Sequence, residues 1–202
     1  GLKYNGEAWT WGNDGAGQLA HNQSGVSISS PVIVVGSHTF IDICNTANFL
    51  ALKSDGSVWC AGINASGQLG DQTVTAKSSP VLVVGAHSFI QIAQAGATSF
   101  ALKSNGEIWA WGRSDNGQLG IQAITSVSSP VLVVGSHAFS KLSTGGSGLF
   151  YSALKPNGEV WSWGYNTNGE IGDQTTAAKS SPILLVGAHS FIDIARTINS
   201  QL

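Results

Sequence analysis

Short apolar runs along this chain are separated by turns rich in glycine, serine and asparagine, and the whole pattern returns about every fifty residues. The segment Leu52-Lys-Ser-Asp-Gly-Ser-Val-Trp59 recurs as Leu102-Lys-Ser-Asn-Gly-Glu-Ile-Trp109 and Leu154-Lys-Pro-Asn-Gly-Glu-Val-Trp161, and opens the chain as Leu2-Lys-Tyr-Asn-Gly-Glu-Ala-Trp9. The four leading leucines lie 50, 50 and 52 residues apart. Each unit then carries Gly17-Gln-Leu19, Gly67-Gln-Leu69, Gly117-Gln-Leu119 or the variant Gly169-Glu-Ile171, followed by a Ser-Ser-Pro ending at Pro31, Pro80, Pro130 or Pro182. A Val-Gly-(Ser/Ala)-His-x-Phe closes the unit at Phe40, Phe89, Phe139 and Phe191.

The apolar positions have the period of strands, not helices. Asn-Gly and Asp-Gly between two such runs predict tight hairpins of type I′, with positive φ at both central residues. With that turn, Ser104 opposes Glu107, so Leu102 faces Trp109 and Phe100 faces Trp111 on one side of the sheet. Pro80-Val-Leu-Val-Val84 predicts a third strand, because proline is tolerated at a strand's first residue, and Phe89-Ile-Gln-Ile-Ala93 predicts a fourth. Four antiparallel strands in each unit of about fifty residues are the mark of a β-propeller. The expected fold is therefore all-β, with four blades at approximately 2–51, 52–101, 102–153 and 154–202 in one repeat domain. Its expected repeated core is Leu2, Trp9, Trp11, Leu52, Trp59, Phe100, Leu102, Trp109, Trp111, Leu154, Trp161, Trp163 and Leu202, with Ala61 the one exception among the second tryptophans. Phe191 to Leu202 spans the same 11 residues as Phe89 to Phe100, so Leu202 is expected to face Trp11.

Composition narrows the chemistry. Charged residues make up 10% of the 202, against roughly a quarter in an ordinary domain, and 42% are apolar, which excludes a disordered chain. A net charge of −2 with no cluster of lysines or arginines leaves no footprint for phosphate contacts, so no nucleic-acid partner is expected. No apolar stretch approaches the roughly 20 residues that span a bilayer as a helix, so membrane insertion is not expected. Cys44 and Cys60 read as two buried thiols more readily than as one bridge. Because the chain has no methionine, it reads as processed, tagged or cut from something longer.

The recurring Trp-x-(Trp/Ala)-Gly, the following Gly-Gln-Leu and the Ser-Ser-Pro together resemble the repeat of the regulator of chromosome condensation family, in phase across the whole chain. That resemblance implies a propeller, usually of seven blades, which at this period needs roughly 350 residues. The four units here would be part of such an array, half of an eight-blade ring of two chains, or a closed four-blade ring. Exchange on a small GTPase is the activity the family is best known for, and it depends on an inserted loop or wedge. The units here are nearly uniform, with a two-residue excess near Gly145-Gly-Ser-Gly148. The regular, low-charge blades are more similar to those of bacterial or viral surface and secreted proteins.

Catalytic and metal signals are weak. His38, His87, His137 and His189 occupy one repeated turn position, where a repeated structural job is the simpler reading. With no cysteine or carboxylate at ligand spacing, no metal site is expected. Gly15-Ala-Gly-Gln-Leu-Ala20 matches a dinucleotide-binding pattern, but no helix follows it. Asp71 and Asp173 are equivalent repeat positions and not a catalytic pair. No enzyme activity and no cofactor are expected. What remains is a binding or structural propeller, serving a protein partner or further blades of the same or another chain, with a homo-oligomer among the options. Its candidate contact residues lie in the variable loops: Asn13, Asp14, Asn64, Ser66, Arg113, Asp115, Asn116, Tyr165, Asn166 and Asn168. An exchange-factor fragment is one alternative and a carbohydrate-binding propeller using Tyr165 another. Asn22-Gln-Ser24 and Asn64-Ala-Ser66 have the pattern of glycosylation sites.

Overall fold

A computed structural model of the chain describes residues 1–144, 149–187 and 189–195. Fourteen strands are present: β1 (Trp9–Gly12), β2 (Ile28–Ile33), β3 (Asp42–Asn45), β4 (Phe49–Leu52), β5 (Val58–Gly62), β6 (Lys77–Leu82), β7 (Gln91–Ala95), β8 (Thr98–Leu102), β9 (Ile108–Gly112), β10 (Val127–Leu132), β11 (Lys141–Thr144), β12 (Phe150–Leu154), β13 (Val160–Gly164) and β14 (Lys179–Leu184). They form three antiparallel four-stranded sheets, β3–β6, β7–β10 and β11–β14, and a two-stranded sheet β1–β2 extended by a Leu2–Ala8 bridge. These are four blades of a partial propeller. Sequence period and sheet are out of step, since the Phe-led segment that ends each period is the first strand of the following sheet, as β7 pairing with β8 shows.

The core is layered between neighbouring sheets. One layer joins Leu50, Leu52, Val58 and Cys60 of the second sheet to Ala101 and Trp111 of the third. Another joins Phe100, Leu102, Ile108 and Ala110 of the third to Tyr151, Ala153 and Trp163 of the fourth. A central strand such as β8 is therefore buried on both faces, and all five of its residues are enclosed.

The hairpins differ from the expected type I′ turn. Gly106 takes the left-handed conformation (φ +84°), while Asn105 does not. Gly106 N–H donates to the Lys103 carbonyl at 2.9 Å, and Lys103 N–H donates to the Glu107 carbonyl at 2.9 Å. This is a three-residue loop, a type I turn closed by a left-handed glycine. Asn105 serves it by accepting the Glu107 N–H on its side-chain oxygen at 3.1 Å. The longer loop moves the pairing by one residue, so Leu102 opposes Ile108, Ala101 opposes Trp109 and Ser99 opposes Trp111. A slip of one residue exchanges faces. The leucines and tryptophans expected on one face therefore lie on opposite faces, each against a different neighbouring sheet.

The correction divides the expected core. Leu52, Phe100, Leu102, Leu154, Trp111 and Trp163 are buried. Trp59, Trp109 and Trp161 are half-buried, each with a lysine Nζ 4.6 to 4.7 Å above its ring, and Trp9 has Lys3 at 4.3 Å. Leu2 is 36% and Trp11 53% exposed, because the inner edge of β1 carries no full neighbouring strand among the described residues. Leu202 lies outside the described residues, as does the Gly145–Gly148 segment.

Candidate partner interface

Each sheet presents the long loop between its third and fourth strands on one rim of the propeller, opposite the Asn-Gly hairpins. This loop begins at the glycine that ends β1, β5, β9 or β13, and a buried polar residue two positions past that glycine holds it together. In the second repeat that residue is Asn64, 1% exposed. Its Nδ2 lies 3.0 Å from the Thr73 carbonyl, 3.1 Å from the Thr75 carbonyl and 3.1 Å from the Asp71 carboxylate, while its Oδ1 accepts the Leu69 N–H at 3.0 Å. Asn166 repeats the arrangement with Asp173, Thr175, Ala177 and Ile171. In the first repeat Asp14 takes this place, accepting the Leu19 N–H at 2.9 Å, and the neighbouring acid is replaced by His21, whose Nδ1 lies 3.4 Å from the Asp14 carboxylate. Lys179 beside Asp173 holds that carboxyl well below the usual carboxylate range.

Asp14, Asn64 and Asn166 are therefore corrected as contact residues: they are interior braces of polar loops whose backbone groups need partners. The Asn64 amide is occupied on every side and is closed to glycosylation in the folded chain. Ser66 and Asn116 are half-buried, their N–H groups donating to Gln68 and Gln118 side chains at 2.9 and 2.7 Å. Arg113 and Asp115 are exposed and form an ion pair with each other. Asn13 and Asn168 are exposed, and Tyr165 is half-buried.

The residue just before each brace differs in all four repeats: Asn13, Ile63, Arg113 and Tyr165. Ile63 is 39% exposed, and beside this row stand Val26, Val74 and Ile124, 65%, 64% and 66% exposed. Sequence reasoning missed these aliphatic residues. The available signal was a branched aliphatic in three of the four otherwise small or polar loops, as in Thr73-Val-Thr75. A row of exposed branched aliphatics beside an arginine–aspartate pair and a tyrosine is suited to burying a partner's surface, with polar groups at its edge.

The histidines hold the opposite rim. His38, His87 and His137 lie tilted against Trp59, Trp109 and Trp161 at centroid distances of 4.3, 4.1 and 4.1 Å. Burial, with the lysine across the same indole, pushes each imidazole below its ordinary pKa. Gly85 lies directly under His87, where a Cβ would meet the ring at 2.5 Å. At the propeller axis a cavity of about 420 Å³ is lined by the first strands, with Asp42, Gln91, Lys141 and Asp193 at equivalent positions and Lys141 paired to Asp193. Burial raises the Asp42 carboxyl. Among the described residues no three His, Cys, Asp or Glu side chains are grouped as metal ligands, and no helix is long and apolar enough to cross a membrane. Cys60 is a fully buried thiol pushed up by that burial, and Cys44 is half-buried.

Comparison with known proteins fits this geometry. The family model for the regulator of chromosome condensation (RCC1) repeat matches residues 55–102, 105–150 and 157–195, and a second model of the same repeat matches 89–118. No curated protein matches the chain. Human WBSCR16 is similar in structure at 24% identity and a TM-score of 0.78, over 91% of this chain and 48% of that one. Prp20p from Saccharomyces cerevisiae, studied for its binding to Gsp1p and histones, is similar at 19% identity and a TM-score of 0.79, over 93% of this chain and 48% of that one. The yeast protein bound to Kap60 gives 19% identity and 0.80, over 93% and 46%. The chain thus spans about half the length of the solved structures it matches, in the arrangement of half of a larger propeller.

Proposed function

Because the chain belongs to the regulator of chromosome condensation (RCC1) repeat family, we propose that it is a non-enzymatic interaction module that binds a protein partner through the rim carrying Ile63, Val74, Arg113, Ile124 and Tyr165. The observation that carries this reading is the contrast within one loop. The brace is buried and chemically restricted to Asp14, Asn64, Ser114 and Asn166, while the preceding position is asparagine, isoleucine, arginine or tyrosine. A scaffold that fixes the loop and frees one side chain per repeat suits recognition. The exposed aliphatics supply area that stabilises a complex by about 25 cal/mol for each Å² removed from water. That Prp20p binds proteins makes a protein the first partner class to test, and surface or secreted placement fits the low charge.

The test compares two rims. A partner recovered with the wild-type chain and identified is titrated against Ile63→Glu/Val74→Glu/Ile124→Glu and against Ile90→Glu, which is exposed at the hairpin rim. The first variant is expected to lose at least tenfold in affinity with an unchanged melting temperature, and the second to bind as wild type. Undiminished binding by the triple variant, or loss confined to Ile90→Glu, contradicts the proposal.

A further inference from the structure

On the hairpin rim, opposite the proposed interface, the third repeat holds a cavity of about 210 Å³ between its hairpin, the end of β10 and the connector that leads to β11. Its lining combines Asn105 and Glu107 of the hairpin, His137 of the connector, Leu132, and the buried Ile108 and Phe139. The volume equals about seven waters at their liquid volume of roughly 30 Å³, which is space for one small ring rather than for a peptide. The frame around it is repeated. The connector docks on the hairpin through N–H···O=C bonds of 2.9 to 3.0 Å, from Phe40 to Gly6, Phe89 to Gly56, Phe139 to Gly106 and Phe191 to Gly158. The outer strand is tied to the hairpin's second arm in the same way, from Val34 to Ala8, Val83 to Val58, Val133 to Ile108 and Leu185 to Val160, all at 2.9 Å.

The chemistry is repeated with the frame. Ile33, Leu82, Leu132 and Leu184 are equivalent, and all four are exposed, by 42 to 48%. Core packing gives no reason for an aliphatic side chain in water at every copy. Each hairpin also keeps one carboxylate, as Glu7, Glu107 and Glu159, or as Asp55 where Ser57 replaces the glutamate. Glu107 accepts the Trp109 indole N–H at 3.3 Å and has the Lys103 ammonium at 3.5 Å, both on Oε2. The Asn105 side chain, with that indole, holds the carboxyl below the usual glutamate range. An ionised carboxylate has about four lone-pair sites, so it keeps acceptor capacity toward the cavity. His137 makes no side-chain hydrogen bond among the described residues, and its ring is held by Trp161 and Phe139. The cavity therefore offers a carboxylate acceptor, an amide and an imidazole beside an exposed aliphatic group, with its charge already balanced by Lys103.

We propose that this cavity and its equivalents are sugar sites, each taking one neutral pyranose ring of a glycan between hairpin and connector. Sugar hydroxyls donate to the Glu107 carboxylate and accept from the Asn105 amide or the His137 imidazole, while the C–H face of the ring covers Leu132. A few convergent polar groups over an apolar floor are what orients a small ligand. A cation or an anion gains little here, because Glu107 and Lys103 already neutralise each other. One such pocket is weak, but equivalent pockets on one rim engage a branched or clustered glycan together, and the second contact is then made at high effective concentration. Tyr165 stands on the other rim and takes no part. The proposal is independent of the protein interface, which uses the loops between third and fourth strands.

Amide-resolved NMR of the isotope-labelled chain tests it, by titration with the methyl glycosides of glucose, galactose, mannose and N-acetylglucosamine, and with methylammonium and acetate as charged controls. At least one glycoside is expected to shift the Asn105 side-chain amide and the backbone amides of residues 136–138, and the controls to leave them in place. Glu107→Gln keeps an oxygen for the Trp109 N–H, so its spectrum away from the cavity should superimpose on that of the wild type. Its affinity at the third repeat should fall about tenfold, the worth of one hydrogen bond to a charged group, while shifts around Asn157 and Glu159 persist. The same glycoside displayed in many copies on albumin should bind more tightly than the free one, and the triple variant of the protein interface should titrate as wild type. The proposal is overturned if no glycoside moves these amides, if a charged control moves them instead, or if Glu107→Gln titrates unchanged. A displayed glycoside held no more tightly than the free one would overturn the repetition of the site.

Discussion

Trp11, Trp111 and Trp163 share one repeat position in two environments, which makes their truncation a calibrated test of the packing. Trp111 and Trp163 are fully enclosed and Trp11 is 53% exposed. Trp111→Ala removes a buried aromatic from the layer between the second and third sheets, and such truncations cost about 3–5 kcal/mol. Trp111→Phe isolates a smaller part. The Gln68 carbonyl keeps the Ser99 hydroxyl at 3.2 Å when the indole is lost, so no orphaned acceptor results. One hydrogen bond of about 1 kcal/mol and a partly filled space remain to be lost, roughly 2 kcal/mol together. Trp11→Ala is expected to cost less than about 1.5 kcal/mol, since half of its surface is already in water. Urea unfolding followed by far-ultraviolet circular dichroism reads all three. The reasoning fails if Trp11→Ala costs as much as Trp111→Ala, or if Trp111→Phe costs as much as Trp111→Ala.

Further outcomes follow from the same contacts. Because His38, His87 and His137 have lowered pKa values when folded, the unfolded chain binds more protons below the ordinary histidine value of about 6.5. Stability from these groups is complete above that pH and declines as pH falls below it, so melting temperature should drop from pH 7.5 to pH 5, and less steeply in His87→Gln. Asp173 acts in a separate window: its depressed pKa gives stability that persists above pH 4 and is lost only in stronger acid, a loss that Asp173→Asn should remove from the acid melting curve. Asn64→Asp sets a carboxylate against the Thr73 and Thr75 carbonyls and Asp71, an expected loss of about 2–4 kcal/mol by urea unfolding. Adding Asp71→His recreates the Asp14–His21 pair of the first repeat and should restore part of that loss, whereas additive costs would refute the equivalence. Gly67→Ala and Gly169→Ala meet similar left-handed strain (φ +76° and +79°), but only the first meets Ser128, so it should lower the melting temperature more.

The architecture was legible because a repeated pattern constrains itself: four copies of Leu-Lys-x-(Asn/Asp)-Gly fixed the hairpins, and each Ser-Ser-Pro marked an outer strand. Register was not legible. Asn-Gly fits both a two-residue and a three-residue loop, and only the Lys103–Glu107 pairing decides which. That single residue sent Trp109 to the rim beneath Lys103 and Trp111 to the interior. In the candidate site, polar loop residues divide into braces and exposed positions according to which backbone groups need partners, a three-dimensional requirement. Asp14, Asn64 and Asn166 look like their exposed neighbours in sequence and are buried in the fold. The aliphatics Val26, Val74 and Ile124 were visible in the repeat alignment, but nothing in their composition marks a side chain left outside the core.

Site-specific photo-crosslinking tests the partner rim most directly, with the reactive side chain placed in turn at Ile63, Ile124 and, on the hairpin rim, Asn105. The account predicts adducts with the protein partner at positions 63 and 124 and none at 105. Adducts at 105 with silence at 63 and 124 would contradict it.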